Sequence, residues 1–203
     1  FGQAGLLHKD FVDEYPNKLK KEYHFLQKKF NLIPLSAHIW KFGGLRPPNF
    51  PSVRLAQFAA LIYQSSSLFS KVLNANKLKD YHDLFQVQIS DYWQTHYVFD
   101  KLSKKRKKSL GQSSINNIII NTIIPIMFVY GNQRDILEFK EKPLQLLAEI
   151  KPEKNSIIKK WNALDISTKS AYDTQALLQL KNEYCQYQKC LSCVIGNKLI
   201  RRK

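Results

Sequence analysis

The sequence predicts an all-α fold, a compact multi-helix domain with one long proline-containing loop. Three observations carry this. Apolar residues recur at helical spacing over most of the chain, alternating strand patterns are nearly absent, and six helix breakers (Pro34, Gly43, Gly44, Pro47, Pro48 and Pro51) crowd into residues 31–52.

The elements follow in order. Pro16 suits a first helical turn, and Leu19, Tyr23, Leu26 and Phe30 then form one stripe opposite most of the lysines, which predicts a helix over 16–30. Residues 31–52 are predicted to be irregular, because each proline pushes its preceding residue into extended conformations. A loop of that length usually serves a function or wraps a surface. Pro51 or Ser52 starts a helix over 53–64, with Leu55, Phe58, Ala59 and Ile62 as its expected core face, widened by Val53, Ala56 and Ala60. Shorter helices are expected over 67–73 and 78–88. The aromatic segment 90–100, with Tyr92, Trp93, His96, Tyr97 and Phe99, fits no template cleanly.

Lys104, Lys105, Arg106, Lys107 and Lys108 form a basic run that reads as an exposed loop. The richest apolar stretch, 115–130, is predicted to be a central buried helix, capped by Ser113 or Ser114, kinked at Pro125 and ended by Gly131. Asn116, Asn117, Asn121, Thr122 and Pro125 interrupt it, which argues against a bilayer span and for no membrane partner. Pro143 leaves 133–150 as one helix or two. Pro152 opens a helix to Leu164, and Ser167 caps a last long one, 168–187. One domain over 1–203 is expected, with a possible subdivision near 101–112. Because residue 1 is Phe, the chain is expected to be a fragment of a longer protein.

The formal charge is +16, and it is lopsided. Residues 1–100 hold 12 Lys/Arg against 8 Asp/Glu, a net of +4; residues 101–203 hold 20 against 8, a net of +12. Such a field favours polyanions, DNA or RNA first. The bland alternative has its own support. Lys outnumbers Arg 26 to 6, as an AT-rich genome produces without selection, and phosphate-binding surfaces usually lean on the planar guanidinium.

Three places could hold chemistry. Cys185, Cys190 and Cys193 are the only cysteines and sit together near the C-terminus. They are candidate metal ligands, for zinc or an iron–sulfur cluster, although a fourth ligand is missing locally. The alternatives are plain packing as small apolar side chains, or redox chemistry. The second place is the proline-rich lead-in to a helix start, with Arg46, Arg54 and Gln57, where free amides and two arginines suit an anion. Equally, both arginines could simply bond loop carbonyls. The third is the run Lys104–Lys108 together with Arg201 and Arg202, a candidate polyanion contact or a solvated surface.

No catalytic set is present: no phosphate-binding glycine loop, no His-Glu metalloprotease pair, no nucleophile elbow, and no ligand spacing among His8, His24, His38, His82 and His96. With no secretory signal and no disulfide framework, a cytoplasmic location is expected.

Five blocks carry a resemblance: FGQAG at Phe1, HIWKFGGLRPPNFPSVRLAQFAALI from His38, INNIIINTIIPIMFVYG from Ile115, EKNSIIKKW from Glu153 and DTQALLQLKNEYCQYQKCLSCVIG from Asp173. Together they resemble an uncharacterised bacterial family that carries only a domain-of-unknown-function label. The resemblance implies no activity and no catalytic residue. It does imply a further N-terminal portion, rich in His and acidic residues and similar to a restriction-type nuclease core, as a partner of this part. The expected role is then a nucleic-acid-binding accessory domain of a larger bacterial protein, with metal stabilisation as one option. A structural or protein-interaction domain and a redox or iron–sulfur protein are the alternatives.

Overall fold

The computed structural model describes residues 1–201 and bears out the all-α expectation: the chain is 62% helical, with a single two-stranded hairpin among the described residues. It packs as two compact units. The first comprises Phe1–Lys71 with Asp83–Gly111; the second comprises Val72–His82 with the chain from Gln112 onward.

In the first unit, α1 runs Glu14–Phe30 and stops at Asn31, whose left-handed conformation (φ 50°) closes the helix through a bond from its amide to Gln27 O. The proline loop is irregular as expected, with two short 3₁₀ turns, Ala37–Ile39 and Pro47–Asn49. Helix α2, Pro51–Gln64, starts on the proline. Its buried face matches the predicted one only at Val53 and Ala56. Phe58 and Ile62 are exposed, while Ser52, Val53, Ala56, Gln57 and Leu61 face inward. The reason is what packs there: beside α5 (Tyr92–Thr95), the hairpin β1–β2 (His96–Val98 and Lys101–Leu102) offers Tyr97 O to Ser52, and the segment after it offers Lys108 O to Gln57. The hairpin itself was not legible from alternation. Asp100 turns it with φ 58°, and its strands are too short to show a period. The core of this unit is Leu7, Phe11, Ala56, Ile89, Trp93 and Phe99, flanked by Phe1, Tyr15 and Tyr92.

Helices α3 (Leu68–Asn74) and α4 (Leu78–Phe85) carry the chain across the unit divisions. The second unit is built on a continuous helical run, Gln112–Arg134, of 23 residues. It comprises α6 (Gln112–Ile118), a π-helical turn (Ile119–Ile123) and α7 (Ile124–Arg134). By length and composition this run could cross a membrane; 39% of its most apolar window is buried. Ile115, Ile119, Ile120, Ile123, Ile124 and Met127 supply the buried side, each contributing about 1.5–3 kcal/mol when fully buried.

Pro125 does not break this run. The proline has no N–H to return to the previous turn, and the wider π register directly before it absorbs the misfit, with Ile124 N–H bonding Ile119 O. Gly131 does not end it either. A side chain there would lie 2.7 Å from the Phe139 carbonyl carbon, so the glycine is the point of closest approach to α8, Leu137–Glu149. Helix α8 passes through Pro143 unbroken. Helix α9 (Ser156–Asn162) starts later than predicted, on Asn155, whose side chain accepts from Ile157 and Ile158 amides. Ser170, not Ser167, caps α10 (Ala171–Gln179) through a capping box with Asp173. A π turn (Leu180–Cys185), a 3₁₀ turn (Cys190–Ser192) and α11 (Val194–Arg201) complete the unit.

Tyr81 gives this unit a pH signature. Its side chain is fully buried and its hydroxyl donates to Ala75 O. Burial, helped by the charges of Asp80 and Glu138, pushes its pKa up to about 12. A group whose folded pKa lies above its unfolded value of about 10 stabilises below pH 10 and loses that contribution as the pH climbs toward the folded value. Wild type is therefore expected to lose about 3 kcal/mol more than Tyr81→Phe over that window. Urea unfolding of both proteins across it checks this; parallel pH profiles would refute it.

Candidate functional site

The structure joins two features that lie far apart in sequence. Gln57 is 4% exposed, and its amide nitrogen donates to Lys108 O at 2.8 Å, across 51 positions. Its amide oxygen accepts from Arg54 Nη1 at 3.0 Å, and Arg54 Nη2 donates to Asn49 Oδ1 at 2.7 Å. Asn49 ends the 3₁₀ turn that begins after Arg46. The proline lead-in, the first turns of α2 and the basic run are thus one hydrogen-bonded assembly. Burial lowers the Arg54 pKa from its ordinary value, but a guanidinium this basic stays protonated. Its bonds to Asn49 and Gln57 fix the group at the start of α2.

Lys108 does not belong to the anion-binding set. It is 5% exposed, its ammonium donates to Trp93 O at 2.6 Å and Gln94 O at 3.0 Å, and it lies 4.0 Å from the Tyr97 ring centroid. Burial, and then the charge of Arg106, lower its pKa. The ammonium is used to hold two carbonyls inside the unit and is not available to a phosphate. Gln57 is likewise buried and positions Lys108 and Arg54 instead of facing solvent.

The rest of the run is a different matter. Ser103 N–H bonds Thr95 O at 2.7 Å and Arg106 N–H bonds Gln94 O at 2.9 Å, which lays the segment alongside α5 and continues the hairpin in irregular form. The backbone is held while the side chains of Lys104, Lys105, Arg106 and Lys107 stay exposed. Among the described residues, none of these four and not Arg46 forms an ion pair. A cleft of about 500 Å³ opens here, lined by Gln86, Gln88, Gln94, Lys107 and Ser109. Its amides and hydroxyl can both donate and accept, as sugar and base edges require. Sequence reading missed Gln86, Gln88 and Gln94. Scattered glutamines carry no motif, and only the fold brings them beside Lys107.

Arg201 is exposed on α11, in the other unit, and Arg202 lies outside the described residues. Cys185 and Cys190 are exposed and Cys193 is half-buried, all three as free thiols. Packing as buried small side chains therefore does not describe them. Nor are they gathered with further ligands: among the described residues no group of three or more His, Cys, Asp or Glu side chains could hold a metal ion.

A second polar cluster has a structural role. Tyr92 OH donates to Asp13 Oδ2 at 2.7 Å and accepts from Asp100 N–H at 3.1 Å, while Asp100 accepts from the Val12 and Asp13 amides. His96 stacks flat on the Tyr92 ring, 4.0 Å between centroids, with Nε2 3.4 Å from Asp13 Oδ2. It ties the segment before α1 to the hairpin. Glu153 is similarly held by Thr174 and Gln175, which places it among structural groups.

A family model described as "Protein of unknown function (DUF2851)" matches residues 1–156. The matched range includes the proline–arginine lead-in and the basic run, and it stops short of the cysteine block. No curated protein and no solved structure matches the chain.

Proposed function

Because the chain belongs to the DUF2851 family, whose function is unknown, its role must be read from its own residues, and we propose that it is a nucleic-acid-binding accessory domain. The contact surface is formed by Arg46, Lys104, Lys105, Arg106 and Lys107, with Arg54 behind them. The observation that supports this best is the Gln57–Lys108 bond, which joins a run of four exposed cations to a helix start that carries Arg54. Exposed charges on a held backbone lose less entropy on binding than the same charges on a free tail. The polar cleft beside Lys107 suits single-stranded or unpaired nucleotides, whose base edges are accessible. The reading stands on charge and amide chemistry.

Fluorescence anisotropy with labelled single-stranded and duplex DNA and RNA tests the reading. Neutralised phosphates release counterions, so binding is expected at low salt and a steep fall at moderate salt. Absence of binding at low salt, or a flat salt profile, rejects it in favour of a structural or protein-interaction domain.

A further inference from the structure

The three cysteines take no part in the proposed contact, and their local geometry has a chemistry of its own. We propose that Cys190 and Cys193 are a reversible dithiol pair that low-molecular-weight disulfides oxidise to an intramolecular bridge. Cys190 opens the 3₁₀ turn, and Cys193 N–H donates back to Cys190 O at 3.3 Å. A turn closed in this way brings its end Cα atoms to within about 7 Å. A disulfide spans about 4.4–6.8 Å between Cα atoms. Cys193 follows the turn with an extended backbone (φ −98°, ψ 128°), and the closing bond keeps the two residues within the span of one bridge. Both are reduced, Cys190 exposed and Cys193 half-buried.

The turn is also held in place. Asn197 N–H bonds Cys193 O at 2.8 Å and its side-chain amide bonds Leu191 O at 3.0 Å. Gly196 lets the first turn of α11 lie directly on Cys190: a side-chain carbon there would come within 2.5 Å of Cys190 O and 2.9 Å of its Cα. Helix and turn therefore present the pair as a unit, and a bridge needs no third ligand. This separates it from a metal site, for which no group of three or more ligands is assembled among the described residues.

The chemistry balances as thiol–disulfide exchange. The Cys190 thiolate attacks oxidised glutathione, forming a mixed disulfide and releasing one glutathione thiolate. The Cys193 thiolate then attacks the Cys190 sulfur, forming the internal bridge and releasing the second. Two cysteine thiols are oxidised, one glutathione disulfide is reduced by two electrons, and the protons lost by the cysteines pass to the two leaving thiolates. A bridge this exposed and this short is expected to reopen readily with excess thiol.

Trypsin cleavage after Lys181, Lys189 and Lys198 puts Cys190 and Cys193 on one peptide and Cys185 on another, which makes the test direct. The full chain is treated with oxidised glutathione, trapped with iodoacetamide and mapped by mass spectrometry. The expected result is a 190–198 peptide two hydrogens lighter, with no glutathione attached, restored by dithiothreitol. Cys193→Ser is expected to retain one glutathione on Cys190 instead, and Cys185→Ser to behave as wild type. The proposal is overturned if wild type accumulates the mixed adduct to the same level as Cys193→Ser, if Cys185 is a bridge partner, or if all three thiols remain alkylatable.

Discussion

Replacing Trp93 by alanine is expected to destabilise the first unit by about 3–5 kcal/mol, the usual cost of truncating a buried tryptophan, while Trp93→Phe costs far less. Trp93 is 1% exposed and packs against Phe1, Tyr92 and Phe99 at centroid distances of 5.3, 5.4 and 5.1 Å, with Tyr15 edge-on at 6.4 Å. Its backbone carbonyl accepts from the Lys108 ammonium, so where this residue packs also bears on the segment that carries the basic run. Domain stabilities are about 5–15 kcal/mol, so losing this ring consumes a large share. The phenylalanine variant separates volume from polarity. The indole N–H is buried without a hydrogen-bond partner, which already costs wild type about 1–3 kcal/mol. Phenylalanine relieves that cost while keeping much of the packing, so its net effect is expected below about 1.5 kcal/mol. Hydrogen exchange resolved by peptide measures the opening of α2 in each variant without assuming one transition for the whole chain. Equal costs for alanine and phenylalanine would show that the indole nitrogen, not the ring's bulk, is what the site needs.

The helices were legible where periodicity is long and uninterrupted. Helix α1, helix α2 and the run from Gln112 show it, because three or more turns of apolar spacing outweigh single residues. Single-residue signals fared worse wherever tertiary contact overrode local preference. Gly131 serves helix contact in place of termination, and Ser170 takes the cap of α10 expected of Ser167. The face of α2 was legible at Val53 and Ala56 but not beyond, because Phe58 and Ile62 lost to Ser52 and Gln57, whose partners lie more than 40 positions away. The same cause hid the fate of Lys108. Five consecutive cations look alike in sequence, and only the carbonyls of Trp93 and Gln94 distinguish the one that is buried. The linkage of the arginines to the run was invisible for the same reason, since a single amide makes it. The cysteine turn was the opposite case, being local enough for its spacing to survive into the structure.

Neutralising Lys104, Lys105, Arg106 and Lys107 together to glutamine is expected to remove most of the salt-dependent affinity for nucleic acid. Each neutralised phosphate contributes about 0.9 to the slope of log K against log salt on duplex DNA, so four contacts contribute about 3 to 4. Over a fourfold rise in salt, wild type should then lose on the order of 100-fold more affinity than the variant. Net charge alone cannot be the explanation if a matched control behaves differently. Lys151, Lys154, Lys159 and Lys160 are also exposed and lie in the second unit; changing those four to glutamine lowers the charge from +16 by the same four, to +12. A localised contact predicts that this control keeps nearly the wild-type slope. A diffuse, composition-driven attraction predicts equal losses from both sets, because counterion release then depends on total charge and not on which cations face the phosphates. Anisotropy titrations of the three proteins on one duplex across rising salt decide between them. Lys108 should be left intact in all three, since removing it would strip the Trp93 and Gln94 carbonyls of their donor and confuse a folding defect with a binding one.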